Sequence, residues 1–101
     1  MAKKSAVARN GKRERLAAKY KRRRQMLKEL VHDRSLTPEE RFQAAMNLNK
    51  IPKNACPVRV HSRCGLTGRS RGVYRKFKLS RIALRELASR GLIPGMTKAS
   101  W

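Results

Sequence analysis

Between residues 63 and 85 the chain carries Arg63, Arg69, Arg71, Arg75, Lys76, Lys78, Arg81 and Arg85, with Tyr74 and Phe77 set among them. Guanidinium groups fork onto phosphate oxygens, ammonium groups meet them as point charges, and ring faces stack on unpaired bases. The chemistry these residue types share is the binding of a polyanion. Gly65, Gly68 and Gly72 interrupt the same stretch. Irregular, glycine-rich backbone comes close to phosphates and suits a folded RNA surface better than a regular duplex groove. Tyr74 and Phe77 serve equally well as the small core of this region, so the rings alone do not decide.

Other chemistry finds little support. Cys56 and Cys64 stand with seven residues between them and His61 in that interval. A secreted disulfide framework uses more cysteines, and a Cys–His dyad seldom comes from sequence neighbours, so both read as reduced thiols. The one close pair of acids, Glu39-Glu40, lies at the start of a helix, and no phosphate-cradling Gly-rich loop or recognisable triad occurs. These absences point away from an enzyme and from a small-molecule substrate or cofactor. A helix-turn-helix reader of DNA would confine its cations to one recognition helix, which this chain does not. A membrane-active basic helix needs a wider apolar face than residues 3–31 offer, and no apolar stretch reaches spanning length.

Charge gives the organisation. Twenty-seven Lys and Arg face six Asp and Glu, a net +21, and Arg outnumbers Lys. The excess is +10 over residues 1–30, zero over 31–52 and +11 over 53–101. With ~10 phosphate contacts, a fourfold rise in salt would cost ~10⁴ in affinity, enough for the polyanion to carry folding as well as recognition. At 101 residues with five aromatics, there is room for one small unit and no large core. The acid-poor start weakly resembles an organellar transit peptide, but its basic character runs on through Arg24 and reads as mature protein.

Three helices must position these groups. Residues 3–31 lack Pro and have no Gly after Gly11; Leu16, Tyr20, Leu27 and Val31 share one side, with Leu30 beside them. Cations cover the remaining circumference, among them Arg9, Arg13, Arg22 and Arg23, expected to order on the polyanion. Over 36–50, Thr37-Pro38-Glu39-Glu40 predicts a capping box, and Phe42, Ala45, Met46 and Asn49 predict a face for packing on other helices or a partner protein. Residues 52–79 read as loop with a short hairpin near Val73 and Tyr74. The last helix, about 80–90, takes Ser80 as its cap and Gly91 as its stop. Leu79, Ile82, Ala83 and Leu87 form its apolar arc, and Lys78, Arg81 and Arg85 a cationic row opposite. The expected fold is mostly α, with little or no β, and is not a self-sufficient globule: a basic N-terminal helical extension (1–35), a neutral helical insert (36–52) and a loop-rich C-terminal module (53–101).

Tyr74-Arg75-Lys76-Phe77, Leu79-Ser80-Arg81-Ile82, Arg85-Glu86, Gly91, Ile93-Pro94-Gly95 and Lys98-Ala99-Ser100-Trp101 together resemble the signature of the bacterial small-subunit ribosomal protein S-fourteen family. The likeness is dense over 63–101 and looser before it. It implies a structural protein of the small subunit that binds 16S-type rRNA in the head and assists its assembly. Its implied neighbours are ribosomal proteins S-three, S-ten and S-nineteen, with no membrane and no homo-oligomer. The implied location is a cytoplasmic ribosome, an organellar one being the alternative. Lys98, Ser100 and Trp101 would run against RNA as well. A shorter branch of that family carries one zinc site made of two Cys-x-x-Cys pairs; the matching positions here are Cys64, Thr67, Ser80 and Ala83, so one ligand of four remains and no metal is expected. The family commonly has Pro and His before Gly72, where this chain has Ser70 and Arg71, and Gly where it has Lys78.

Overall fold

The computed structural model describes residues 1–100, in two compact units: Ala8–Val60, and Met1–Val7 with the chain from His61 onward. The division cuts across the three charge blocks, because the first seven residues join the C-terminal module. The elements are α1 (Lys4–His32), α2 (Pro38–Asn49), 3-10 turns at Lys53–Ala55 and Pro57–Arg59, a hairpin of β1 (Val73–Tyr74) and β2 (Leu79–Ser80), and α3 (Arg81–Ser89). Mostly α with one minimal hairpin, this is the expected class.

In the Ala8–Val60 unit, α1 turns one stripe inward at helical spacing. Asn10 is buried, and Arg13, Leu16, Ala17, Tyr20, Arg24, Leu27 and Val31 are half-buried. Leu30 lies off the stripe, 42% exposed. Helix α2 begins as its sequence dictates: Glu40 N–H donates to Thr37 Oγ1, and Thr37 N–H donates to the Glu40 carboxylate, both at 3.4 Å. Its packing face differs from the expected one. Arg41, Ala44, Ala45 and Leu48 turn inward, while Phe42 and Met46 are 67% and 43% exposed. The small alanines permit close approach, and Arg41 reaches back to donate from Nε to the Val31 carbonyl at 3.0 Å, satisfying an acceptor the end of α1 leaves open. Asp33 fastens the connection by accepting from Ser35 Oγ at 2.7 Å and Ser35 N–H at 2.9 Å; these bonds, with Arg41 nearby, hold its carboxyl below the usual range. Ile51 and Ala55 are buried beyond α2, and Arg13 Nε donates to Asn54 Oδ1 at 3.4 Å.

The second unit is built on reversals. Cys64 N–H donates to Arg69 O and Gly68 N–H to Cys64 O, both at 2.9 Å, closing a turn over residues 64–69. Gly65 N–H donates to Lys78 O at 2.8 Å, tying that turn to the hairpin, where Val73 faces Ser80 and Tyr74 faces Leu79. Ser80 closes the hairpin and caps α3, its Oγ accepting from Ala83 N–H at 3.2 Å. Gly91, at φ +71°, ends the helix: Leu92 N–H donates to Leu87 O and Gly91 N–H to Ala88 O, the paired bonds of a Schellman stop. The N-terminal residues complete the unit. Ala2 N–H donates to Thr67 O at 3.1 Å, and the side chains of Ala2 and Val7 close over Gly68.

Among the described residues, the buried apolar ones are Ala44, Ile51 and Ala55 in one unit and Cys64, Ala83 and Leu84 in the other, and the largest side chain wholly out of water is Ser80. Ordering backbone costs about 1–2 kcal/mol per residue, and cores this small offset it with little margin.

Candidate nucleic-acid interface

Helix α3 presents its cations as a pair. Arg81 and Arg85 lie one turn apart, both exposed, and Tyr74 (51% exposed) borders the same cleft with Lys98. The buried side of α3 is centred on Ala83 and Leu84, with Leu87 half-buried, whereas Ile82 is 50% exposed. The apolar arc is therefore rotated from the expected one. Lys78 is not part of the helical row, because α3 starts at Arg81. Lys78 ends the hairpin turn at φ +53°, a left-handed conformation that favours the Gly usual in the resembling family.

The loop cations divide by what they already hold. Arg63 is half-buried and donates from Nη1 to Gly68 O at 2.8 Å, bracing the 64–69 turn. Arg69 donates from Nε to Arg71 O at 2.9 Å, while Arg71 and Arg75 are exposed. Lys76 Nζ sits 5.5 Å from the centroid of the half-buried Phe77 ring, covering one face, so Tyr74 is the more open of the two rings. Lys98 and Ser100 are exposed, and Trp101 lies outside the described residues.

On α1, Arg9, Arg22 and Arg23 are exposed, and Arg13 is the half-buried partner of Asn54. The helix also carries a groove floored by Ala17 and Ala18 and edged by Lys21, Arg24 and Lys28. Cations at i, i+3 and i+7 give this groove, completed by Gln25 and Pro57, a positive rim. That spacing was available in the sequence, but the unrelieved run through Arg22 and Arg23 is the louder signal.

The positions matching the zinc ligands of the shorter branch do converge, around one sulfur. Burial (Cys64 is 4% exposed) pushes its thiol up, but the Thr67 hydroxyl and the backbone N–H groups of Thr67, Ser80 and Leu66 donate to the sulfur and bring it down to about 6. Ser80 Oγ is already engaged by Ala83 N–H, and Ala83 has no donor atom. Among the described residues no three His, Cys, Asp or Glu side chains form a metal-holding group. The donor set does not fit tetrahedral zinc. Melting curves with and without chelator are accordingly expected to superimpose, and a chelator-dependent shift would contradict this.

The sulfur carries a second prediction. Its folded pKa, about 6, lies below the ordinary value of 9.0, so the folded chain binds fewer protons between those values. Stability therefore rises with pH across that window, levels off above it, and is lost as pH falls through 6. Urea midpoints at pH 5.5, 7.5 and 9 should climb in the parent chain, and Cys64→Ala should remove this part of the climb.

None of the helices among the described residues is long and apolar enough to cross a membrane. The profile of the family described as Ribosomal protein S14p/S29e matches residues 47–100. The chain is 59% identical to a small ribosomal subunit protein uS14 of Rhodospirillum rubrum, and 57% identical to those of Roseobacter denitrificans and Paracoccus denitrificans. Each alignment spans 101 residues, all of this chain and all of the relative.

Proposed function

This chain belongs to the ribosomal protein S14p/S29e family, and from that membership we propose that it binds 16S-type rRNA in the head of the small ribosomal subunit and assists its assembly. It is a structural protein of the small subunit, at work in the cytoplasmic ribosome, and not an enzyme. Its partners are rRNA and other ribosomal proteins; S-three, S-ten and S-nineteen are the neighbours proposed. The observation that carries the RNA reading is the imbalance of charge. Six acids can neutralise at most six of the twenty-seven cations, and the other twenty-one need an external polyanion. Arg9, Arg22, Arg23, Arg71, Arg75, Arg81, Arg85 and Lys98 are exposed to meet it. Arg13, Arg63 and Arg69 contribute while bracing their own units.

Fractionation on a sucrose gradient tests this. The chain should travel with small subunits, and hydroxyl-radical cleavage of those particles should show its protections in the head. A nuclease-indifferent monomer absent from small subunits would refute the proposal.

A further inference from the structure

We infer that the cleft between α3 and residues 96–99 seats a single unpaired nucleobase of the RNA, with the adjoining phosphate on Arg81 and Arg85. The inference rests on the RNA-binding reading above and narrows it to one site. The cleft measures about 250 Å³, with Leu84, Ala88 and Met96 supplying apolar lining and Tyr74, Arg81 and Arg85 standing around it. That volume is below the ~300–1,000 Å³ of sites that enclose drug-sized ligands, and suits one flat ring system.

The surroundings match the two halves of a nucleotide. Leu84 is 9% exposed and Met96 39%, so a base entering here leaves water on its apolar faces. Tyr74 offers a half-open ring as a stacking partner, a use tolerant of base identity. Arg81 and Arg85, at i and i+4, put two planar cations on the same cleft, and no acid lines it. An apolar side chain from a neighbouring protein could use the lining but would leave both guanidinium groups without an anion. A paired base could not enter, because its faces are stacked inside the duplex.

Small subunits reconstituted with the full chain provide the test. Ala88→Phe fills the cleft from the helix, and Thr97→Phe fills it from the exposed segment opposite, where no helix can be disrupted. The parent chain should protect one unpaired nucleotide from dimethyl sulfate, kethoxal or carbodiimide. Both variants should restore that base's reactivity by at least about fivefold, the factor corresponding to loss of one stacked base, while hydroxyl-radical protections elsewhere persist. Unchanged base reactivity in both variants would overturn the inference, as would ultraviolet cross-linking of Tyr74 or Met96 to a neighbouring protein in place of RNA. Absence of any footprint from the parent chain would overturn the RNA reading itself and this site with it.

Discussion

Alanine at both Arg81 and Arg85 is expected to weaken binding of the chain to small-subunit rRNA roughly twentyfold at about 0.15 M salt, and to flatten the salt slope by about 1.4–1.8. The two effects share a cause. Each guanidinium on a phosphate displaces close to one condensed counterion, and the entropy of that release depends on the logarithm of the salt concentration. Both groups are exposed on α3, while its packing into the unit is through Ala83, Leu84 and Leu87. Truncation therefore removes charge without removing core. Titration of parent and double variant across a range of salt separates this from damage to the fold, which lowers affinity by a constant factor and leaves the slope alone. An unchanged slope would show that α3 directs these cations away from RNA.

The largest effect on stability is expected at Gly68. Its φ of +76° is strained for any side chain, and an added Cβ would lie 2.9 Å from Val7 Cγ2 and 3.1 Å from Ala2 Cβ. Strain and overpacking together should cost Gly68→Ala about 2–4 kcal/mol. Two other glycines calibrate the measurement. Gly91 has the same kind of φ, +71°, but an added Cβ meets nothing within 4 Å, so Gly91→Ala should cost only about 1 kcal/mol. Gly11 sits inside α1 with open space around it, and Gly11→Ala should stabilise by about 0.5–1 kcal/mol. Denaturation midpoints followed by circular dichroism, with amide exchange at Ala2 and Gly68, read all three. Equal losses at Gly68 and Gly91 would mean that Val7 does not press on the turn.

What was legible in the sequence is what neighbouring residues settle among themselves. Thr37, Pro38 and Glu40 specify the start of α2, and Ser80 and Gly91 bracket α3, because each needs partners only a few positions away. The stripe on α1 was readable through Leu16, Tyr20, Leu27 and Val31, although Arg13 and Arg24 within it were not. Long side chains of this kind lay their stems along apolar surface, and charge alone conceals that. The inward face of α2 agrees with the expected one only at Ala45: Phe42 and Met46 are exposed, while Ala44 is buried and Arg41 and Leu48 half-buried. In a short helix, close approach favours small residues, and composition by itself does not reveal approach. The cluster on Cys64 came within reach only through family resemblance, and even that did not reveal that its sulfur is held by hydrogen-bond donors in place of a metal. Among the candidate cations, the shared placement of Arg81 and Arg85 on α3 followed from helical spacing, while Lys78 falls outside the row, because the backbone changes hand just before α3.

The bond from Ala2 to Thr67 spans sixty-five positions, and it has a consequence for how the chain is made. Translation is vectorial, so the opening residues leave the peptidyl-transferase centre roughly 3–13 s before their acceptor has been polymerised, at ~5–20 residues per second. Throughout that interval residues 1–7, with Lys3 and Lys4, lack the partners they have in the folded unit. The unit that this bond ties can lock only after residue 67 and the hairpin and α3 beyond it have been made, so it matures later than the Ala8–Val60 unit.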